Sequence, residues 1–229
     1  MPKGFSSSVD RLAGALCLWF LIGSGQVAGQ PPDSPEVAAS TFDLIAPLRS
    51  DRALGYFIAD ARLAEAVTGS DAELCTWALD DWIRHSDGRL EVVPARESDA
   101  LIRVYFVSPG FNRYGEMRPI LVGGRRGAEV FVRTETESLG ADIAGAAEDD
   151  ALMRDTIVYL TCLHELGHAL GMIHTGEFAD VMVFFGFGGD IPAFFSRYRS
   201  RIEVREDIAS QSGLSAGDIA QLLSAYPED

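Results

Sequence analysis

Hydrophobic and polar residues alternate over several short segments of this chain and recur at helical spacing over others. The alternation is clearest around Ile102, Val104 and Phe106, which share one face of an extended segment. Strands are predicted over residues 54–59, 90–93, 100–107, 119–122 and 128–132.

Helical spacing predicts three main helices. The first covers residues 71–85 and the second about residues 151–171. The last begins at Ser215, where Asp218 three residues later forms a capping box. Residues 190–211 carry four arginines, and we expect a solvated loop there, with an insertion beside a cleft as the alternative.

The first 29 residues have the pattern of a secretory signal peptide. Lys3 and Arg11 precede an apolar run over residues 12–22, and small residues follow as far as Gly29. The run is short for a membrane span, although a retained N-terminal anchor is the alternative. We therefore expect a secreted protein, extracellular or periplasmic. In it, residues 30–50 form a linker or lead-in, and residues 51–229 form one domain.

Composition and charge limit the kinds of partner that this domain is expected to bind. The 229 residues are 47% hydrophobic and 23% charged, which is typical of a globular protein. A formal charge of −15 argues against nucleic acid and against an anionic membrane surface. We expect no nucleic-acid partner and, after signal cleavage, no stable membrane association. Cys75 and Cys162 form either a disulfide between two helices or two buried thiols.

The most informative stretch runs from His164 to His174 and contains three of the four histidines. His164 and His168 are one helical turn apart, so both imidazoles can face one ion. Gly171 suits a helix end that only glycine adopts without steric cost, and the turn brings His174 back as a third ligand. Three nitrogen ligands leave the open fourth position of a catalytic zinc. Glu165 lies beside the ion as a general base rather than a ligand.

The longer form of the pattern makes a metal site the favoured interpretation. A histidine pair with an adjacent glutamate also arises on ordinary amphipathic helices, but Gly171 and His174 are demanded by metal geometry and by little else. Imidazole ligands favour zinc, although iron, nickel or cobalt would also fit. The sequence therefore predicts one catalytic Zn²⁺ bound by His164, His168 and His174.

The stretch resembles the metzincin signature H-E-x-x-H-x-x-G-x-x-H, which a methionine-containing turn follows. Met182 looks like that turn, Thr175 is nearest to the serine of the matrixins, and residues 214–226 are similar to the last matrixin helix. The resemblance implies an α+β zincin fold with a mixed, mostly parallel twisted sheet of about five strands, an active-site helix and a C-terminal helix. It also implies that residues 51–229 are a matrixin-like catalytic domain.

The same resemblance makes residues 117–123 an edge strand that pairs with an extended substrate, with an ordinary hairpin as the alternative. The chain departs from the matrixins elsewhere. It offers no propeptide cysteine and no second cluster of histidine and aspartate for a structural zinc, and residues 183–189 replace the usual pocket wall. Acidic residues 148–150 suggest either calcium or a favourable interaction with the next helix N-terminus.

These features predict a secreted zinc-dependent metalloendopeptidase that acts on protein or peptide substrates. Zinc would activate water and polarise the scissile carbonyl, while Glu165 takes the proton and passes it to the leaving amine. Two alternatives stay open. One is a secreted zinc-containing binding module without catalysis, which would not need Glu165. The other is a zinc amidase that acts on cell-wall peptides.

Overall fold

In the computed structural model, a mixed sheet and several helices give the described part of the chain an α+β fold. The structure describes residues 16–17, 45–49, 53–59, 69–108, 110–111 and 113–228. The predicted signal peptide and lead-in, residues 1–50, lie outside the described residues apart from 16–17 and 45–49. Within the described ranges, no helix is both long enough and apolar enough to cross a membrane.

The sheet is mostly parallel, as the sequence analysis expects, and has the strand order β1-β5-β6-β4-β2-β3. Its strands are β1 (Leu16–Cys17), β2 (Leu54–Ile58), β3 (Val92–Pro94), β4 (Ile102–Val107), β5 (Gly115–Val122) and β6 (Arg125–Arg133). β2 is parallel to β3 and to β4, and β4 is parallel to β6. β5 is antiparallel to β6, and the two residues of β1 pair antiparallel with β5. The five strands from β2 to β6 match the five predicted segments, with β5 and β6 longer than expected.

The residues that the structure describes form five helices and three short 3₁₀ segments. The helices are α1 (Gly69–Arg84), α2 (Ala141–Asp149), α3 (Ala151–Ala169), α4 (Ile191–Arg199) and α5 (Ala216–Ala225). Three short 3₁₀ segments cover Glu137–Leu139, Phe185–Phe187 and Arg205–Ala209. α1, α3 and α5 correspond to the predicted helices, and the capping box of α5 forms as expected, with the Ser215 side chain accepting from the Asp218 N–H at 3.0 Å.

Helix α3 forms the centre of the core. All of its residues from Thr156 to Ala169 are buried. It packs against α1, where Cys75 and Cys162 form the disulfide that was one of the two predicted alternatives. The indole N–H of Trp82 on α1 donates to the Leu163 carbonyl at 2.8 Å. The disulfide and this hydrogen bond hold α3 against α1 just before His164, the first predicted zinc ligand.

The prediction of a solvated loop over residues 190–211 is wrong. α4 begins at Asp190, whose side chain accepts from the Ala193 N–H at 2.9 Å, and its buried side chains are Phe194, Phe195 and Tyr198. The four arginines indicated an exposed segment. The apolar residues of α4, one turn apart, instead form a buried face that packs against α3. The Tyr198 ring lies 5.2 Å from the ring of Tyr159 on α3.

The segment before α3, which is rich in small and in acidic residues, forms a helix, α2, that the sequence analysis does not predict. Asp150 ends this helix and caps the next, since its side chain accepts from the Leu152 N–H at 3.0 Å. Arg199 also pairs with this carboxylate at 2.6 Å. The Asp150 carboxylate thus acts at a helix N-terminus, which was one of the two interpretations of the acidic residues.

Candidate metal centre

The structure brings the three predicted ligands together at the end of α3. His164 and His168 project from consecutive turns of the helix, which ends at Leu170. Gly171 has a φ of 97°, a left-handed conformation that lets the chain reverse. As a result, Nε2 of His174 lies 3.3 Å from Nε2 of His164 and 3.1 Å from Nε2 of His168.

Backbone carbonyls orient the two helical imidazoles. Nδ1 of His164 lies 2.6 Å from the Val181 carbonyl oxygen, and Nδ1 of His168 lies 2.9 Å from the Met172 carbonyl oxygen. Because a carbonyl only accepts, Nδ1 carries the proton in each ring and Nε2 keeps its lone pair. Protein ligands to metals are commonly fixed in this way, with one ring nitrogen on the ion and the other donating.

Burial keeps these imidazoles uncharged. It holds the pKa of His164 well below its usual range, and the two neighbouring histidines lower it further. Burial, together with His174, lowers the pKa of His168 to about 3, and burial lowers that of His174 to about 4. All three side chains are therefore neutral at pH 7, the form in which histidine binds a metal.

The donor set fits zinc. The three ligand atoms all lie within 4.8 Å of one another, and this is the cluster of histidine, cysteine or acidic side chains within the described ranges whose geometry suits an ion. Ligand atoms at 2.0–2.1 Å from a tetrahedral zinc are about 3.3–3.4 Å apart. The two Nε2 separations of 3.1 and 3.3 Å agree with that value. Three lone pairs that face one point are mutually repulsive without a cation between them.

The turn that contains Met182 lies directly against α3. Met182 is completely buried, and a Cβ placed on Gly167 of α3 would lie only 2.5 Å from its Sδ. Thr175 holds the turn near the third ligand: its N–H donates to the Met182 carbonyl at 2.8 Å, and its carbonyl accepts from the Phe184 N–H at 3.0 Å. The Phe184 ring then packs on the His174 imidazole, with 4.8 Å between centroids.

Asp218 on α5 fixes the same turn from the other side. Its carboxylate is buried and accepts from the backbone N–H groups of Val181 at 2.8 Å and Met182 at 3.2 Å. Because the carbonyl of Val181 orients His164, a chain of two contacts connects the C-terminal helix to the metal centre. Sequence analysis identifies Asp218 only as part of a capping box, since no local pattern indicates a contact with residues 36 or 37 positions earlier.

Glu165 follows the first ligand on α3, and its side chain lies against Gly115 at the beginning of β5. Its side chain is completely buried, and neither carboxylate oxygen has a hydrogen-bond partner among the described residues. Burial holds the pKa of this carboxyl well above its usual range, and the charge of Glu116 on β5 raises it further. Arg113 and the Met117 backbone lower it, by a smaller amount. Such an unpaired buried carboxyl is costly for stability and is typical of a functional residue.

A narrow apolar cleft of about 20 Å³ adjoins His164. Its lining residues are Leu160, Thr161, His164, Val181, Phe185, Phe194 and Phe195. A larger cavity of about 310 Å³ lies where α2 and α4 begin, but no histidine lines it. We place the candidate site at the three histidines, because the metal-binding geometry lies there and the cleft adjoins one of them.

Comparison with known proteins does not assign the chain to a family. No family model matches it, and no curated protein is significantly similar. Among solved structures, that of myroilysin aligns over 81% of this chain and 98% of its own length at 14% identity, with a TM-score of 0.40. A likeness this distant carries no argument about function. The three histidines can bind a metal ion, and what the ion does is argued from the site.

Proposed function

We propose that the protein is a secreted, matrixin-like zinc metalloendopeptidase of the metzincin type. The observation that carries the proposal is the convergence of three neutral Nε2 atoms beside a buried, unpaired glutamate. A structural zinc has four protein ligands, whereas three leave a position for a reactant. The Cys75–Cys162 disulfide supports an oxidising compartment and hence secretion.

In this proposal His164, His168 and His174 bind the zinc, and Glu165 moves the protons. Zinc would supply a Lewis acid that activates water and polarises the scissile carbonyl. The Glu165 carboxylate takes a proton from the water and delivers it to the leaving amine. The charge of a bound zinc would favour the ionised form of Glu165, which burial disfavours. No covalent intermediate with the protein is needed.

Strand β5 is the proposed binding site for an extended peptide. In this structure β1 pairs antiparallel with its outer side, with Leu16 opposite Met117 and Cys17 opposite Glu116. Both residues of β1 belong to the predicted signal peptide, so its cleavage would leave this side of β5 open to an added strand. Strand addition supplies backbone hydrogen bonds that do not depend on the peptide sequence. Selectivity would then come from the cleft beside His164, whose three phenylalanines favour an apolar side chain.

The test is a digest of a diverse peptide library, with cleavage sites read by mass spectrometry. The zinc-loaded protein is expected to cut internal peptide bonds, to stop when a zinc-selective chelator is added, and to recover when zinc is returned. Glu165→Gln is expected to bind zinc in the same ratio while losing activity by a factor of about 10²–10⁴. Glu177→Gln, at an exposed acid just after the third ligand, is the matched control and keeps full activity.

Two results would overturn the proposal. Undiminished cleavage by Glu165→Gln would remove this residue from the mechanism. A protein that is fully loaded with zinc and cleaves no peptide would instead fit the binding module, whose ligand would then be sought by capture on the zinc-loaded form.

A further inference from the structure

The strand β5 passes so close to Glu165 that only a glycine leaves room for its side chain. A Cβ placed on Gly115 would lie 2.5 Å from Oε1, 2.8 Å from Cγ and 3.0 Å from Cδ of Glu165. Separations this short are far inside van der Waals contact between heavy atoms, which begins at about 3.5 Å. The Glu165 side chain therefore occupies the space in which a residue other than glycine would place its own Cβ.

Neither the strand nor the helix can move away at low cost. All eight residues of β5 pair with β6, from Gly115 opposite Val132 to Val122 opposite Arg125. Met117, the next residue of β5 on the same face, is completely buried. On the other side, α3 is buried throughout its second half. The element free to respond to an added methyl group is the side chain of Glu165, whose carboxylate interacts with the Met117 backbone but makes no well-aligned hydrogen bond among the described residues.

Glycine is also a poor choice for a strand on local grounds. It has low strand propensity, and within a strand it commonly marks a site where another group approaches closely. Gly115 has no positive φ that would demand glycine for the backbone. The close approach of Glu165 is thus the feature of the described structure that explains the residue.

We propose that Gly115 is a positioning residue for Glu165: its missing side chain lets the carboxyl lie against β5, at the edge where the substrate is proposed to pair. This inference rests on the proposed function, in which Glu165 is the general base. A base must lie within hydrogen-bond reach of the proton it takes. A displacement of about 1 Å is enough to cost about 10²-fold in rate.

The first experiment is the kinetics of Gly115→Ala on a peptide that the wild-type protein cleaves. We expect kcat to fall by a factor of about 10² while KM changes by less than about twofold, because the displaced group acts in the chemical step. Zinc content should stay at the wild-type ratio, since the three atoms nearest to the new methyl group all belong to Glu165 and none to a ligand. Gly145→Ala on α2 is the matched control: its Cβ meets nothing within 4 Å, and its kinetics should be those of the wild type.

The second experiment is a double-mutant cycle on thermal stability, which needs no activity. Gly115→Ala is expected to lower Tm by about 3 °C or more in the wild type, as overpacking does, and by much less in the Glu165→Ala background, where the clashing atoms are absent. If Gly115→Ala alone does not fold, the double variant should. An equal loss in both backgrounds, or two unfolded variants, would show that the strand itself rejects the methyl group.

The two experiments separate the two hypotheses. A wild-type kcat in Gly115→Ala overturns the positioning role even though peptide cleavage is established. If the zinc-loaded wild-type protein cleaves nothing, the proposed function fails, and the stability cycle still decides whether Gly115 makes room for Glu165.

Discussion

The three histidines of the metal centre have lower pKa values in the folded protein than in the unfolded chain, so folding keeps them uncharged at a pH where the unfolded chain would protonate them. The folded pKa of His168 is lowered to about 3 and that of His174 to about 4, against about 6.5 for an unfolded chain. As the pH falls below about 6.5, the unfolded chain binds these protons first. The stability of the metal-free protein is then highest above pH 6.5 and declines as the pH falls toward 4.

The ionisation of Glu165 changes the stability with pH in the opposite direction, so this residue must be replaced before the effect of the histidines can be measured. Its pKa is raised by burial, so the folded protein keeps a proton that the unfolded chain loses above about pH 4.3. In metal-free Glu165→Gln, we predict that the unfolding free energy measured in urea falls steadily from pH 7 to pH 4.5. Each histidine contributes a slope of up to about 1.4 kcal/mol per pH unit. Adding His168→Gln should make the slope shallower, and a stability independent of pH over this interval would contradict the argument.

The convergence of the ligands could be predicted from sequence because short-range geometry determines it. Helical spacing places His164 and His168 on one face, and Gly171 allows the turn that returns His174. The contacts that orient the rings could not be predicted. They come from backbone carbonyls and from the Phe184 ring, whose positions depend on how the turn packs against α3.

At the scale of elements, the metal centre depends on the contact between α5 and the turn at Met182. Asp218 accepts from three backbone N–H groups, those of Val181, Met182 and Ser215. One carboxylate thus both starts the last helix and fixes the turn whose carbonyl orients His164. The C-terminal helix supports the ligand geometry without contacting the ion.

Replacing Asp218 with asparagine tests this support. The amide keeps one acceptor oxygen but turns its NH₂ toward a backbone donor, so we predict a loss of about 2 kcal/mol in unfolding free energy. Zinc affinity should fall as well, because the Val181 carbonyl that orients His164 is no longer held in place. The loss of such a contact behind a ligand typically lowers metal affinity by about 10–100-fold. Chelator competition measures the affinity. Asp142→Asn in the first turn of α2, at an exposed position, is the control; equal affinities for both variants would refute the link.

The elements themselves were predictable where one apolar face dominates the segment. α1, α3 and the strands β4, β5 and β6 follow from periodicity because each buries a face of apolar residues. α4 was missed because its arginines, and those that follow it, favoured an exposed loop over the short apolar face of Phe194, Phe195 and Tyr198, although Asp190 and Pro192 are ordinary signals of a helix start. Which elements would be neighbours depends on long-range packing, and the periodic pattern does not contain that information.

At the scale of the whole molecule, one covalent bond ties the helix of the metal centre to the first half of the chain. Cys75 and Cys162 are 87 residues apart, with Cα atoms 5.3 Å apart, and both are completely buried. Cys162 precedes the first ligand by two residues. The bond therefore closes a loop that contains part of α1, the four strands from β3 to β6, α2 and the first part of α3.

Removing this bond should destabilise the protein far more than it disturbs zinc binding. Closing a loop of this length restricts the unfolded chain by about 4–5 kcal/mol in the entropic model, and measured losses are about 2–5 kcal/mol. We predict such a loss for Cys75→Ala/Cys162→Ala in urea, with wild-type zinc content in the folded variant. Because both sulfurs are inaccessible, the folded wild type should resist dithiothreitol until it unfolds. A double variant as stable as the wild type would mean that packing between α1 and α3, and not the disulfide, holds the helix of the metal centre in place.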